Sequence, residues 1–271
     1  METEDVNTPQ TIAEIASRRP DLIVVAAFGQ KIGRELIDMP GKGMINIHAS
    51  LLPKYRGAAP INRAIVNGET TTGVTIFRIQ EKMDSGPVCA QAATRILDDE
   101  TAGELHDRLA QLSAPLLLDT LAKLAAGTAT YAEQDHDQAT FAPKLKKSDG
   151  FLDFHEPAEL LARQIRGFWP WPGASATHVS ERTGKATHVT LALADVVQHV
   201  AQPPSAGITA GGDGATLLSP GTFDDDLNVA CGADKLTILK LKPAGSALMD
   251  FKDFANGWHV HPGDKFVKVD Q

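Results

Sequence analysis

The sequence predicts an α/β domain followed by a small β-barrel or sandwich. Helix-like and strand-like segments alternate over the first hundred residues, which is typical of a parallel α/β sheet. A long leucine-rich helix is indicated between a capping box at Thr101–Glu104 and Gly127. From about residue 151 the chain contains only short strand-like runs separated by Gly and Pro turns, which favours a small all-β second domain.

The composition is that of an ordinary soluble globular protein. The chain has 271 residues, of which 42% are hydrophobic and 22% charged, enough for two modest domains. No apolar run approaches the roughly 20 residues needed to span a bilayer, and the acidic start lacks a secretory apolar segment. Two distant cysteines predict free thiols. We therefore expect a cytoplasmic protein without a membrane partner.

The charge balance argues against a strongly basic nucleic-acid binder. The formal net charge is −8, and the chain from residue 150 onward contains ten Lys and Arg residues and 14 Asp and Glu residues. Binding of a polyanion would therefore depend on local clusters such as Lys144, Lys146 and Lys147. No DNA partner is expected.

The elements of the first half follow in order from local patterns. Thr8 and Pro9 are typical of a helix start. The apolar run Asp21–Phe28 predicts a strand buried on both faces. Further elements are predicted as helix 33–40, strand 43–50, helix 59–69, and strands 71–80 and 87–96 around a turn at 81–86.

The second half divides into a linker and a further domain. Residues 128–150 are polar, so we expect domains at 1–127 and 151–271 with 128–150 as the linker. A short helix precedes Trp169, and strands are predicted at 186–197, 215–221 and 227–245. Glycine-rich and aspartate-rich runs at 211–214 and 224–226 predict loop tips.

Asn46 and His48 are the first candidates for a functional site. Taken alone, a histidine such as His48 is more often a core residue that donates to a carbonyl. Here the two residues are two apart, so on a strand they share a face. They end a strand of a parallel sheet, where open α/β sheets bind ligands. An amide and an imidazole on one face form a plausible oxyanion-stabilising pair.

Three other features have both a structural and a functional interpretation. Asp84 can simply cap a turn, or it can orient His48 and favour its protonated form if the fold brings them together. Lys54 and Arg56 are typical of a solvated loop, or else contact an anionic substrate. The tryptophans near residue 170 favour packing over base stacking.

At these residues the sequence resembles a known family. The stretches NIHASLLPKYRGAAPI and TGVTIFRIQEKMDSGPV resemble the folate-dependent formyltransferases, with Asp84 at the family's essential aspartate. The stretches FAPKLKKSDGFLDF, IRGFWPWPGA, KLKPAGSALMDFKDFANG and HPGDKF resemble, in detail, the methionyl-tRNA formyltransferases. The resemblance covers nearly the whole chain. It implies a Rossmann-like catalytic domain and an OB-like barrel that binds tRNA.

The resemblance also implies a reaction. 10-Formyltetrahydrofolate would supply a formyl group, without a metal, to the α-amine of initiator methionyl-tRNA. Asn46 and His48 would stabilise the oxyanion, His48 best as imidazolium, and Asp84 would hold His48 and help move the proton. The stretch that would bind the folate consists of Ser50, Leu51, Leu52 and Pro53, together with Phe28 and Gly29.

The sequence departs from the family pattern at its beginning. The family's first strand-helix units, on the order of 60 residues at about 30 per unit, precede the segment that matches strand 21–28. The chain is therefore predicted to be an N-terminally truncated form, from a misplaced start codon or a genuine short form. An uncovered sheet edge predicts poor solubility or a need for a partner. A full-length chain is expected to be a monomer.

Two alternatives stay open. Another folate-dependent formyltransferase or hydrolase, acting on an amino sugar or a ribonucleotide, would share the candidate residues. An inactive truncated remnant that only binds RNA is the second.

Overall fold

A computed structural model describes residues 2–197 and 218–269. The chain divides into two compact units, Met1–Leu145 and Lys146–Gln271. The predicted loop tip at 211–214 and the first part of the predicted strand 215–221 lie outside the described residues. The predicted domain boundaries stay predictions. In the structure, the N-terminal part of the expected linker, residues 128–145, belongs to the first unit.

The first unit is built around a four-stranded sheet. Its elements are α1 (Pro9–Ser17), β1 (Ile23–Ala26), α2 (Arg34–Ile37), β2 (Met44–His48), β3 (Arg56–Gly57), α3 (Pro60–Val66), β4 (Thr71–Arg78), β5 (Val88–Arg95), α4 (Ala102–Ala126) and β6 (Phe141–Ala142). The strand order is β1-β2-β4-β5, and short β3 and β6 pair separately. The α/β class is thus confirmed.

Within the four-stranded sheet, parallel pairing is restricted to β1 and β2. Strand β4 runs antiparallel to β2 and to β5. The β4–β5 connection is a short turn, and a short turn can join only antiparallel neighbours. Every predicted helix and strand of this unit is present, shortened by a few residues at its ends, where element boundaries are least well defined.

Strand β1 is less buried than its apolar sequence predicts. Burial alternates along Ile23–Ala26, and Val24 is 39% exposed. Among the described residues β1 pairs with β2 alone, so it forms the end of the sheet. The prediction of burial on both faces was therefore wrong, because full burial requires packing against both faces of a strand, and an end strand also leaves one edge uncovered.

Helix α4 confirms the strongest local prediction. The Thr101 side chain accepts from the Glu104 amide, and the Glu104 carboxylate accepts from the Thr101 amide. Gly127 ends the helix in the left-handed conformation. Leu105 and Leu109 are buried in the core of the unit. By length and composition alone α4 could cross a membrane. Its amino-terminal half packs on β4 and β5, as expected for a helix of a folded domain.

In its described residues, the second unit is a nearly closed barrel with two α-helices. Its elements are α5 (Ala158–Gly167), β7 (Ala174–Val179), β8 (Ala186–Val197), β9 (Val229–Ala230), β10 (Lys235–Pro243), β11 (Met249–Asp250), α6 (Phe251–Trp258) and β12 (Lys265–Val267). Thr222 bridges to β12 and Phe223 bridges to β9, which itself pairs with β10, so these contacts close the sheet on itself. The predicted barrel is confirmed.

Candidate active site

The parallel pair β1 and β2 brings two predicted segments to one edge of the sheet. Ala26 of β1 is in register with Ile47 of β2. Phe28 and Gly29 follow the end of β1, and His48 ends β2. The carboxyl ends of parallel strands are the usual ligand-binding edge of an α/β sheet.

His48 is buried, and both of its ring nitrogens face defined groups. The side chain is 6% exposed. Nε2 lies 2.9 Å from the backbone carbonyl oxygen of Tyr55. Because a carbonyl oxygen can only accept, Nε2 must carry a proton and donate. Nδ1 lies 3.7 Å from Oδ2 of Asp84. The fold therefore brings His48 and Asp84 together across 36 positions of sequence, as the functional interpretation of Asp84 required.

Asp84 is held by the backbone beside His48. Its side chain is 14% exposed, and Oδ2 accepts a hydrogen bond of 2.8 Å from the amide of Gly57. Its φ of 47° lies in the left-handed region, which a non-glycine residue adopts at a cost. The 3.7 Å separation from His48 exceeds a direct hydrogen bond, so the pair is close but not joined.

Burial determines the resting charge of His48. Loss of hydration lowers the pKa of His48, and the charge of Asp84 and the bond to Tyr55 raise it by a smaller amount. The net direction is down, so the ring is neutral at pH 7 in the resting protein. The family resemblance implied a protonated ring instead. A neutral ring with a proton on Nε2 leaves a lone pair on Nδ1, which can accept a proton.

Asn46 lies on the same face of β2 as His48 and is partly exposed. In residues 2–197 and 218–269, no group is within hydrogen-bonding geometry of its carboxamide. The amide is therefore available to donate to a bound oxygen. The arrangement offers a hydrogen-bond donor, a proton acceptor and a carboxylate on adjacent segments.

Side chains of β4 and β5 hold the loop after β2 through hydrogen bonds. Ser50 Oγ donates to the carbonyl of Lys54 at 2.7 Å. Thr75 Oγ donates to the carbonyl of Ser50 at 2.6 Å and accepts from the amide of Leu52 at 3.1 Å. Gln91 Nε2 donates to the Leu52 carbonyl at 2.9 Å. Four hydrogen bonds thus hold the predicted folate-binding stretch in one conformation.

The other predicted folate-binding residues lie close to this loop in sequence or at the same sheet edge. Leu51 packs against Gly73, where any side chain would collide with it. Pro53 follows a cis peptide bond. Phe28 is 42% exposed, and the space beside Gly29 is open. An exposed aromatic ring with open space next to it fits a flat ligand better than it fits a core.

The structure corrects the interpretation of the basic loop. Arg56 is 1% exposed, so it is neither a solvated residue nor free to meet a substrate. Its guanidinium donates to Gln134 and contacts His136. Lys54 is exposed and lies 3.4 Å from Glu69.

Gln134 is the residue that the sequence argument missed. It is 7% exposed and lies in the segment predicted as a linker. A single glutamine in a polar stretch carries no periodic or motif signal, so only the three-dimensional contacts reveal it. Its amide donates to the carbonyls of Asp84 and Gly86.

A cavity of about 650 Å³ lies between α2 and the turn after β4. It contains none of the predicted site residues. Its lining consists of Arg34, Ile37, Asp38, Pro40, Gly41, Arg78, Ile79, Gln80, Glu81, Lys82 and Pro87. Within the described residues, no group of three His, Cys, Asp or Glu side chains is placed to hold a metal ion.

Comparison with known sequences decides the family. Residues 1–121 match the Formyl transferase family, and residues 144–259 match Formyl transferase, C-terminal domain. A methionyl-tRNA formyltransferase of Citrifermentans bemidjiense is 40% identical over 98% of this chain and 77% of its own length. One of Trichlorobacter lovleyi is 42% identical over 95% and 74%. The chain belongs to the methionyl-tRNA formyltransferase family. The resemblance inferred from the motifs is confirmed.

Solved structures agree on the fold. HypX from Aquifex aeolicus in complex with tetrahydrofolic acid superposes with a TM-score of 0.63, at 19% identity over 93% of this chain and 41% of HypX. A sugar N-formyltransferase from a Shewanella species gives 0.57, at 22% identity over 72% and 77% of the two chains. These likenesses establish the shared formyltransferase fold.

Proposed function

We propose that this member of the methionyl-tRNA formyltransferase family transfers the formyl group of 10-formyltetrahydrofolate to the α-amine of initiator methionyl-tRNA. The observation that carries the proposal is about 40% identity over 98% of the chain, across both units, to proteins of that name. The site chemistry supports it. A neutral amine attacking a formyl carbon requires an oxyanion donor and a proton acceptor, and this sheet edge offers both.

The proposed chemistry begins at the formyl carbon. The amine lone pair forms a new C–N bond, and the carbonyl electron pair moves to oxygen. Asn46 donates its amide hydrogen to this oxyanion. His48 Nδ1, which carries a lone pair at neutral pH, takes the proton from the attacking nitrogen, directly or through water.

Collapse of the tetrahedral intermediate completes the transfer. The oxygen electron pair re-forms the carbonyl, the bond to the folate nitrogen breaks, and that nitrogen takes the proton from His48. While protonated, His48 faces Asp84, whose negative charge stabilises the imidazolium. The imidazolium expected from the sequence thus belongs to the intermediate, where both ring nitrogens can donate.

The folate is proposed to bind along the loop after β2. Residues Ser50–Pro53 would line one side, and Phe28 with Gly29 would face the pterin ring. The hydrogen bonds from Thr75 and Gln91 hold the loop ready, which reduces the entropy lost on binding.

The tRNA is the proposed partner of the barrel and its flanking basic residues. We expect the chain to act in the cytoplasm, where translation initiates, and without DNA, and we expect a full-length form to be a monomer. A salt titration of tRNA binding would report how many phosphates the lysines neutralise.

The test is a substrate panel with the 271-residue chain. Radiolabelled 10-formyltetrahydrofolate is offered with initiator methionyl-tRNA, an amino-sugar nucleotide, glycinamide ribonucleotide, or buffer alone. Formyl-methionyl-tRNA is the expected product. Transfer to a small amine, or hydrolysis alone, would replace the proposal with the corresponding alternative. tRNA binding without folate binding or transfer would identify an RNA-binding remnant.

A further inference from the structure

We infer that Gln134 is a positioning residue that holds Asp84 in register with His48, an inference that rests on the proposed function. The carboxamide of Gln134 is buried, and all of its polar atoms are used. Oε1 accepts from Nε and Nη2 of Arg56 at 3.1 and 2.6 Å. Nε2 donates to the carbonyl of Asp84 at 3.0 Å and to that of Gly86 at 2.7 Å.

Gln134 thereby links the two segments that carry the reactive pair. On one side, Arg56 directly follows Tyr55, whose carbonyl accepts from His48 Nε2. On the other side, the two carbonyls belong to the turn that presents the Asp84 carboxylate. Gln134 therefore helps to fix the spacing between the imidazole and the carboxylate, together with the Gly57 amide that bonds the carboxylate directly.

The Asp84 turn requires such support. Asp84 has a φ of 47°, and a strained backbone persists only where its surroundings hold it in place. Gly86 packs so closely on the Arg78 carbonyl that a Cβ there would collide with it. Ser85 is buried and donates to the carbonyl of Lys82 at 2.9 Å. Gln134 supplies two hydrogen bonds to the backbone of this turn, and the Gly57 amide supplies a third to the Asp84 carboxylate.

The segment around Gln134 is itself anchored beside the site. Thr140 accepts from the Tyr55 amide through Oγ at 2.8 Å, and its carbonyl accepts from the Arg56 amide at 2.9 Å. Strand β6 pairs in parallel with β3. Residues 134–142, which we call the strap, are thus bonded to the chain at Tyr55 and Arg56 in the loop after β2.

The main test replaces Gln134 with methionine, which keeps the volume and removes all four hydrogen bonds. We expect kcat to fall by about 10-fold or more, because displacements of about 1 Å cost up to roughly 100-fold. The KM values for folate and tRNA should change less than about two-fold, since no substrate contact is lost. The acid limb of the pH profile of kcat/KM should move to lower pH, because a displaced Asp84 raises the His48 pKa less.

The matched control is Gln138→Met. Gln138 lies on the same strap, is exposed, and bonds only to the neighbouring Asp135. Its replacement should leave kcat and the pH profile unchanged. If Gln134→Met and Gln138→Met gave the same kcat and the same acid limb, Gln134 would be a structural residue and the inference would be wrong.

A second variant tests the inference if Gln134→Met does not fold. Removing the acceptor of a buried guanidinium can unfold the unit. Gln134→Glu keeps a partner for Arg56 but removes the donor to Asp84 and Gly86. It should fold and still lose kcat. In an Asp84→Asn background neither Gln134 substitution should lower kcat further, because Gln134 acts through Asp84. Additive losses would contradict this.

A readout without turnover separates this inference from the proposed function. NMR titration of the His48 imidazole in the wild-type chain and in Gln134→Met measures the coupling to Asp84 directly. A lower His48 pKa in the variant supports the inference even if the chain transfers no formyl group to tRNA. An unchanged pKa in a folded variant overturns it even if the wild-type chain is active.

Discussion

Both units contain a buried histidine beside an aspartate, and the two pairs are built differently. In the first unit His48 Nδ1 and Asp84 Oδ2 are 3.7 Å apart, and the carboxylate is 14% exposed. In the barrel, His178 Nε2 and Asp264 Oδ2 are 3.0 Å apart, and their side chains are 2% and 0% exposed. The residue types are the same, but only the first pair is open to a ligand.

The His178–Asp264 pair is buried, and its carboxylate is extensively hydrogen-bonded. Asp264 also accepts from the amides of Glu181 and His261 at 2.9 and 3.2 Å. The His178 ring contacts three phenylalanine rings at 5.5 to 6.2 Å, namely Phe223, Phe254 and Phe266. A carboxylate that accepts three hydrogen bonds and is 0% exposed ties neighbouring segments together and is not accessible to a substrate.

The His48–Asp84 site keeps hydrogen-bonding groups that a ligand can use. Nδ1 of His48 has no direct hydrogen bond, and Asn46 on the same strand face is available as a donor. The comparison teaches that a His–Asp contact by itself does not mark an active site. An active site is marked instead by a hydrogen-bonding group that has no partner in the protein and that a ligand can reach.

Removal of the imidazole should have the largest effect on turnover. His48→Gln should lower the rate of formyl transfer by roughly 10²- to 10⁴-fold, the usual contribution of general acid–base catalysis. Single-turnover assays with initiator methionyl-tRNA measure it. The paired variant His178→Gln, assayed at a temperature where it is folded, should keep the wild-type rate. Equal losses in both variants would abolish the distinction between the pairs.

Removal of the available amide should have the next largest effect. Asn46→Ala should lower kcat by roughly 10²- to 10³-fold, since one oxyanion donor is lost. The melting temperature should change little, because no intramolecular hydrogen bond of this amide is broken. Steady-state kinetics with both substrates distinguish this loss from weaker binding. A raised KM with unchanged kcat would assign Asn46 to ground-state binding instead.

The smallest effect concerns stability and pH. Burial lowers the pKa of His178 in the folded chain, and the Asp264 bond opposes this to a smaller extent. The unfolded chain therefore takes up a proton first as the pH falls below about 6.5. Stability is lost from that pH down through the folded-state pKa, at about 1.4 kcal/mol per unit of separation.

Urea denaturation between pH 7.5 and 5 measures this dependence. His178→Gln should flatten it. His48 has a lowered pKa and contributes with the same sign. A barrel that became more stable on acidification would show that His178 is charged when folded.

Local signals predicted the elements of the fold well. The capping box at Thr101 and the closing Gly127 placed α4 to within a residue at either end. The strand directions needed more than local patterns. The antiparallel pairing of β4 with β2 depends on how the chain returns after α3, which no residue pattern in β4 records.

The site was partly predictable for the same reason. Asn46 and His48 could be paired from strand periodicity alone, whereas Asp84 required the family resemblance. The burial of Arg56 depends on Gln134, which is 78 positions away. A contact of that range has no local sequence signature, so the arginine was interpreted as a solvated or substrate-binding residue.

The most direct test of the account measures formyl transfer and melting temperature side by side for Asp84→Asn and Asp264→Asn. We predict that Asp84→Asn loses transfer and keeps the melting temperature. We predict that Asp264→Asn keeps transfer while folded and loses about 1.5–3 kcal/mol of stability, as expected when hydrogen bonds to a buried charged acceptor are weakened. If Asp84→Asn instead transferred the formyl group at the wild-type rate, the assignment of the active site to the His48–Asp84 pair would be wrong.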